Sequence, residues 1–369
     1  MSQALIINPF RPTPGAEPPQ LIGRENVIAD FQNGLVGGAG AQGRLMRITG
    51  PRGSGKTALL SELAQIAHDA GWVTASVSAG KTLLDDLTHE LSPKFQIEET
   101  HVAAKALVAS GETNIHIKAP NLRDLLRDAA EKAQGALVTV DEIQDAHEED
   151  VRLIASTVQL LTGEKVNIAF VFAGLTTGVM DLINGKAMSF LQRAQPEDLT
   201  KISELEVELS LKESFRESGL SLGGNELEHV AKATYGYAYL IQLVGFYVWD
   251  RANRHRETSV LVSEEDVSNG IALATSRFHE TVHEPAISNI TRNAMEYLIA
   301  LANHDGPMST KCLANELGKK PNSVTYVQRS LIQRQIIERT TRGYVDFSIP
   351  LLRDYLRDNA EEILERYGE

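Results

Sequence analysis

The chain has 369 residues, of which 42% are hydrophobic and 23% are charged. This length predicts two or three domains, and the apolar content excludes a mainly disordered protein. The net charge of −13 excludes a protein that coats nucleic acid with its whole surface.

Cys312 is the only cysteine, so neither an intramolecular disulfide nor a cysteine-based zinc site can form. Its place near the start of a predicted helix predicts a buried side chain. Residues 1–10 lack the basic stretch and long apolar core of a signal peptide. No apolar run approaches the ~20 residues that span a bilayer. We therefore expect a cytoplasmic protein without a membrane anchor.

The first two thirds of the chain divide into a leading segment and an alternating segment. Residues 1–43 hold a Pro-rich strap and a short helical stretch. From Arg44 onward, apolar strands alternate with helices, which is typical of a parallel sheet covered on both faces. We therefore predict a doubly wound α/β domain over residues 44–208. The predicted strands are 45–49, 72–77, 136–140 and 168–173, and the predicted helices include 56–70 and 151–161.

The remaining chain is predicted to be helical except for one β-hairpin. Apolar residues three and four apart predict an all-α domain over residues 209–285, with helices at 225–233, 237–253 and 264–281. Residues 286–369 contain predicted helices at 289–303, 310–317 and 322–335, followed by strands at 336–339 and 344–349. Three helices followed by a β-hairpin predict a winged helix. Residues 83–120 carry no pattern that indicates a role.

Residues 50–57 match the phosphate-loop motif G-x-x-x-x-G-K-[ST] in full, between a predicted strand and a predicted helix. Glycines allow successive backbone N–H groups to turn inward, and the helix start adds its positive dipole end. Lys56 is predicted to reach the β- and γ-phosphates, and Thr57 to bind Mg²⁺. The predicted nucleotide contacts in this region are Gly50, Pro51, Arg52, Gly53, Ser54, Gly55, Lys56, Thr57 and Ala58.

The apolar strand at 136–140 is followed by Asp141 and Glu142. In a parallel sheet this position lies at the carboxyl edge, where ligands bind. Asp141 is predicted to bind Mg²⁺ directly or through water, and Glu142 to act as the general base for an attacking water. ATP and Mg²⁺ are therefore the expected cofactors, and ATP hydrolysis is the expected activity.

The two motifs, followed by a helical lid and a winged helix, resemble the AAA+ ATPases. The resemblance is closest to the origin-recognition/Cdc-type initiators and to bacterial relatives described only as ATP-binding proteins. Asn8-Pro9-Phe10 and Leu21-Ile22-Gly23-Arg24-Glu25 resemble the N-terminal signature of those initiators. That signature helps to enclose the adenine, so the resemblance implies that Ile22, Gly23 and Arg24 lie on the adenine side of the nucleotide.

The resemblance also implies roles for two residues outside these motifs. In the family, a polar residue after the fourth strand senses the γ-phosphate, and Thr176 stands near that position here. Thr176 is either that sensor or an ordinary loop threonine. Arg193 matches an arginine that projects into the next subunit's nucleotide, where it stabilises charge on the transferring phosphoryl group. The alternative for Arg193 is a surface arginine paired with a nearby acid.

The predicted lid departs from the family pattern. Tyr239 stands in place of the arginine of a G-x-x-R pattern. This change puts the coupling of lid closure to hydrolysis in doubt and predicts slow turnover. Tyr237 and Tyr239 are expected to belong to the lid core rather than to contact the nucleotide.

Residues 289–348 carry eight Lys or Arg and five Asp or Glu, a net charge of +3, whereas the rest of the chain carries −16. On the predicted helix 322–335, Val324, Val327 and Leu331 share the core-facing side. Lysines suit phosphate contacts, and Asn or Arg suits base edges. The predicted DNA contacts are Lys319, Lys320, Asn322, Ser323, Arg329 and Arg342. The alternative is a winged helix that binds protein.

The preferred function is an ATP-regulated, DNA-binding ATPase that assembles as a homo-oligomer on duplex DNA. The first alternative is a mainly monomeric nucleotide-operated switch, as in the STAND branch of these NTPases. The second alternative is a helper ATPase that recruits an enzyme encoded elsewhere.

Overall fold

The computed structural model describes residues 7–13, 18, 21–92, 121–184 and 189–366. The chain divides into two compact units. The sheet unit contains residues 23–50 and 55–200, and the helical unit contains residues 1–22, 51–54 and 201–369. Residues 93–120, most of the segment without an assigned pattern, lie outside the described residues, as does part of the Pro-rich strap.

The sheet unit contains a five-stranded parallel sheet with the spatial order β2-β3-β4-β1-β5. In chain order the strands are β1 Leu45–Thr49, β2 Val73–Ser78, β3 Ala136–Asp141, β4 Ile168–Gly174 and β5 Gln195–Asp198. Strand β1 lies between β4 and β5 and pairs Met46 with Val171 of β4 on one side and with Gln195 of β5 on the other. The predicted parallel α/β sheet is confirmed. Strand β5 was not predicted, because the sequence Gln-Pro-Glu-Asp carries no apolar run.

Helices pack around this sheet, and β4 is buried along its whole length. The described helices of the unit are α1 Glu25–Val36, α2 Lys56–Asp69, α3 Leu83–Leu91, α4 Leu122–Lys132, α5 Glu148–Gly163, α6 Thr176–Asn184 and α7 Ser189–Arg193. The core includes Phe170 and Phe172, which are each 1% exposed and whose ring centroids lie 6.1 Å apart. Burying each such ring contributes roughly 1.5–3 kcal/mol.

The helical unit begins with four helices around an apolar cluster. They are α8 Glu204–Glu217, α9 Gly224–Ala233, α10 Ala238–Asn253 and α11 Glu264–Phe278. Capping boxes start two of them, at Ser203 for α8 and at Ser263 for α11. A π-helical turn, His279–His283, and the short α12, Glu284–Ile287, follow α11. The predicted boundary between residues 208 and 209 falls inside α8.

A C-terminal module, residues 288–366, completes the helical unit. Its elements are α13 Arg292–Ala302, β6 Met308–Ser309, α14 Thr310–Glu316, α15 Pro321–Gln333, β7 Ile337–Arg339, β8 Tyr344–Phe347, α16 Leu352–Asp358 and α17 Ala360–Glu365. The strands form an antiparallel sheet in the order β6-β8-β7. Val324 and Leu331 are buried as expected, and Val327 is partly buried.

The prediction for Cys312 was wrong, because its side chain is exposed. On α14 the buried side chains are Leu313 and Ala314. Cys312 precedes them by one and two positions, and successive residues are rotated by about 100° around an α-helix. In the described part of the chain, no helix is both long and apolar enough to cross a membrane.

Candidate nucleotide site

The phosphate-loop motif lies between β1 and α2, as its sequence context requires. Lys56 is the first residue of α2, is 6% exposed, and donates from Nζ to the carbonyl oxygen of Gly50 at 3.0 Å. Gly53 and Gly55 adopt positive φ angles of 72° and 90°. These left-handed conformations disfavour residues with a side chain, so the two glycines permit the tight turn.

The two predicted Mg²⁺ ligands lie together in the sheet unit. Thr57 donates from Oγ1 to Oδ2 of Asp141 at 2.6 Å. Thr57 follows β1 by way of the loop, and Asp141 ends β3; parallel strands bring their carboxyl ends to one edge of the sheet. A hydroxyl and a carboxylate are hard oxygen ligands, so the chemistry of this pair fits Mg²⁺.

Glu142, the predicted general base, is held by hydrogen bonds of its backbone and of its side chain. Its backbone is left-handed, with φ 50°, and its N–H donates to Oδ1 of Asp141 at 2.9 Å. Its Oε2 accepts a hydrogen bond of 2.5 Å from Nε2 of Gln144. Oε1 of Gln144 accepts in turn from the N–H of Leu175 at 3.0 Å. Gln144 was not identified as a site residue from the sequence, although it lies only two residues after Glu142.

Thr176 and Arg193, the two residues with roles implied by the family resemblance, both belong to the sheet unit. Thr176 is the first residue of α6, directly after Leu175, and is partly buried. Arg193 ends α7 just before β5 and is exposed. Among the described residues Arg193 forms no ion pair. The sensor and arginine-finger roles stay predictions.

On the predicted adenine side, Arg24 is anchored within the sheet unit. Its side chain is 8% exposed and donates to the carbonyl oxygens of Thr200 and Gly23, each at 3.2 Å. Gly23 has a φ of 65°, which a residue with a side chain would adopt at a cost. The arginine therefore ties the start of α1 to the segment after β5.

The rest of the N-terminal signature belongs to the helical unit. Ile22 packs against its apolar cluster, and Phe10 is buried there against the ring of Phe215 at 5.5 Å. Asn8 donates from Nδ2 to the carbonyl oxygen of Phe246 and accepts at Oδ1 from the N–H of Phe10. These contacts fix the segment, while the adenine role of Ile22, Gly23 and Arg24 stays a prediction.

Residues 51–54 of the phosphate loop belong to the helical unit and have partners within it. The hydroxyl of Tyr237 donates to the carbonyl oxygen of Arg52, and the N–H of Tyr239 donates to the carbonyl oxygen of Gly53 at 3.2 Å. The N–H of Arg52 donates to Oε1 of Gln335 at 3.2 Å. Burial raises the pKa of Tyr237, so its hydroxyl keeps the proton that it donates.

These contacts extend the prediction for the lid tyrosines. Tyr237 and Tyr239 pack with the apolar cluster of the helical unit as expected, but they also form hydrogen bonds to residues 52 and 53 of the phosphate loop. A Cβ atom at Gly53 would clash with the Tyr237 hydroxyl, so a glycine is needed there for space as well as for its φ angle. No sequence signal links Gln335 to a loop 283 residues away.

The predicted DNA contacts in the C-terminal module differ in the solvent exposure of their side chains. Five of the six are exposed, namely Lys320, Asn322, Ser323, Arg329 and Arg342. Lys319 is partly buried, and its Nζ donates to Glu296 at 2.7 Å and to Asn293 at 3.0 Å. The hydrogen bond from Lys319 lowers the pKa of Glu296, which keeps that carboxylate charged. Tyr326, which we did not predict as a contact, is 78% exposed on α15.

A parallel sheet that carries a complete phosphate loop defines a P-loop nucleotide-binding domain. Residues 20–171 match the AAA ATPase domain family. The chain therefore contains an ATPase domain that is similar to the AAA ATPase domain family over residues 20–171. Residues 280–356 match a domain family of unknown function.

The fold is shared, over nearly the whole chain, with solved structures that include the following two. The Walker-type ATPase of Pyrococcus abyssi superposes with a TM-score of 0.65 at 15% identity, covering 94% of this chain and 98% of that one. The ORC2 protein of Aeropyrum pernix, in ADPNP–ADP complexes, superposes with a TM-score of 0.61 at 14% identity, covering 97% and 98%. No curated protein matches the sequence significantly. At these identities the likeness establishes the fold.

Proposed function

We propose that this ATPase hydrolyses Mg²⁺-bound ATP at residues 50–57 and that its nucleotide state regulates duplex DNA binding by the C-terminal module. The single observation that carries the proposal is the hydrogen bond of 2.6 Å between Thr57 Oγ1 and Asp141 Oδ2. Both oxygens are hard ligands of the kind that Mg²⁺ prefers, and Thr57 belongs to the motif whose backbone suits phosphates, which supports the proposal.

The proposed reaction assigns one task to each side chain. Lys56 binds the β- and γ-phosphates through its ammonium, and Glu142 orients the attacking water and takes its proton. The water oxygen bonds to the γ-phosphorus while the bond to the β–γ bridging oxygen breaks, so ADP and inorganic phosphate are released. Mg²⁺, when bound, neutralises charge on the phosphate oxygens.

The catalytic assignment is tested with Glu142→Gln, using Asp145→Asn as a matched control. Asp145 is an exposed acid three residues away, so its replacement by asparagine tests the loss of a negative charge alone. Glu142→Gln should leave the Kd for ATP unchanged and lower steady-state turnover by at least roughly 100-fold. Asp145→Asn should match the wild type. Wild-type turnover in Glu142→Gln would remove Glu142 as the base.

DNA binding is supported by charge, exposure and element order. Three helices and a three-stranded sheet, in the order α13-β6-α14-α15-β7-β8, suit a winged helix in which α15 enters the major groove. Asn322 and Arg329 are exposed on α15 and suit base edges. Lys320, just before α15, and Arg342, between β7 and β8, suit phosphates.

The DNA assignment is tested by comparing Lys320→Ala with Lys212→Ala. Both changes remove one exposed lysine from the helical unit, but Lys212 lies on α8, which is not part of the C-terminal module. Lys320→Ala should weaken duplex binding and reduce the slope of log K against log salt by about 1. Equal affinities and slopes for the two variants would contradict DNA binding through α15.

A nucleotide-operated switch is the second candidate function, and the contacts of residues 51–54 favour it. Arg52 receives a hydrogen bond from Tyr237 and donates one to Gln335, which lies between α15 and β7. In a switch, Gln335→Ala would accelerate release of bound nucleotide, and turnover would be independent of protein concentration and of DNA. In the DNA-assembled ATPase, turnover per chain rises with both.

A further inference from the structure

Gln144 makes two hydrogen bonds that connect Glu142 to the end of β4. Its Nε2 donates to Oε2 of Glu142 at 2.5 Å, and its Oε1 accepts from the N–H of Leu175 at 3.0 Å. Both polar atoms of the amide are therefore used, so the orientation of the amide is set at both ends. A glutamine bound in this way has little rotational freedom.

The space for this side chain is made by two glycines. A Cβ atom at Gly174 would clash with Oε1 of Gln144, and one at Gly178 would lie 2.6 Å from the Cβ of Gln144. Neither glycine has a positive φ angle, so the backbone conformation does not call for glycine at either position. Room for Gln144 is needed at both positions, and at Gly174 a Cβ atom would also lie 2.7 Å from the side chain of Val179.

The backbone of Glu142 is also constrained. A left-handed conformation costs a residue with a side chain about 1–2 kcal/mol, and here its N–H donates to Oδ1 of Asp141. Backbone and carboxylate of Glu142 are thus each fixed by a neighbour. Oε2 is occupied by Gln144, which leaves Oε1 to accept a proton from water.

We propose that Gln144 is the positioning residue for Glu142. It fixes the carboxylate so that one oxygen faces the attacking water, and it links that carboxylate to Leu175, the residue before Thr176. A shift at the start of α6 is thereby passed to the base through a single side chain. This inference rests on the proposed function, in which Glu142 is the general base.

The test is Gln144→Met, which keeps the length of the side chain and removes both hydrogen bonds. The structure predicts that kcat falls about tenfold, as part of the contribution of the base, while KM and the Kd for Mg²⁺–ATP stay unchanged. The matched control, Gln159→Met, alters an exposed glutamine on α5 and should match the wild type.

A double mutant separates positioning from general damage to the site. In the Glu142→Gln background, Gln144→Met should lower kcat no further, because its effect passes through the carboxylate. A wild-type kcat in Gln144→Met, or an equal loss in both backgrounds, overturns the inference while leaving Glu142 as the base. Wild-type kcat in Glu142→Gln alone overturns the proposed function and the inference with it.

Discussion

Acid should destabilise the helical unit through His283, the last residue of the π-helical turn. The side chain is fully buried, and Nε2 lies 2.8 Å from the carbonyl oxygen of Pro350. A carbonyl can only accept, so Nε2 carries the proton of the neutral ring. Nδ1 lies 3.0 Å from Nδ1 of His279 and therefore accepts. A second proton on His283 would place two N–H groups face to face.

Burial lowers the pKa of His283 to about 4, and the hydrogen bond to Pro350 opposes that shift. Burial also lowers the pKa of His279, with Asp358 and Glu284 opposing it. The folded pKa of His283 lies below the unfolded value of 6.5, so the unfolded chain binds the additional proton. The stability that the folded chain gains by keeping His283 neutral is therefore complete above pH 6.5 and is lost as the pH falls toward 4.

The magnitude follows from this difference in pKa. At a pH well below the folded pKa of His283, the free energy of unfolding is lowered by about 3 kcal/mol. At pH 5 it is lowered by about 2 kcal/mol. His283→Gln can still donate to Pro350 but cannot be protonated. Its stability should therefore show less dependence on pH between 8 and 5, whatever constant amount the substitution costs.

The assay is urea unfolding followed by the emission of Trp249, which is 4% exposed on α10. Trp72→Phe removes the only other tryptophan, which lies in the sheet unit, so the signal reports the helical unit. Wild-type and His283→Gln chains are compared in that background. Stability profiles that run parallel from pH 8 to pH 5 would refute the assignment of the acid sensitivity to His283.

Three further predictions concern the nucleotide site. Lys56→Ala should raise the Kd for ATP by roughly 100-fold, because a charge-assisted contact is lost. Titration with a fluorescent nucleotide measures this Kd, and an unchanged affinity would contradict the phosphate site. Gly53→Ala should destabilise the loop by roughly 1–2 kcal/mol, because an alanine would have to adopt the positive φ angle, and should weaken ATP binding through the clash with Tyr237. The control is Gly80→Ala, because Gly80 has open space around it. Arg193→Ala should be nearly inactive alone and should regain turnover when mixed with Lys56→Ala chains, which supply the arginine in trans; a mixture as inactive as its parts would contradict the arginine finger.

The sequence by itself determined the class of protein. The phosphate loop is a local feature, since its glycines, its lysine and the flanking strand and helix lie within about twenty-five residues. The apolar runs of β3 and β4 are likewise local and predicted a covered parallel sheet. The acids at the end of β3 then had to lie at the carboxyl edge of the sheet.

Only the tertiary structure decided which side chains meet. Gln144 reaches Glu142 and Leu175 because β3 and β4 are neighbours in the sheet and because two glycines leave room; strand order is not a local property. Lys319 was predicted as a DNA contact, and this stays a prediction; its ion pair with Glu296 on α13 was visible only in the structure. Gln335 contacts Arg52 across 283 residues. Such pairings depend on the packing of distant segments, which no pattern of neighbouring residues encodes.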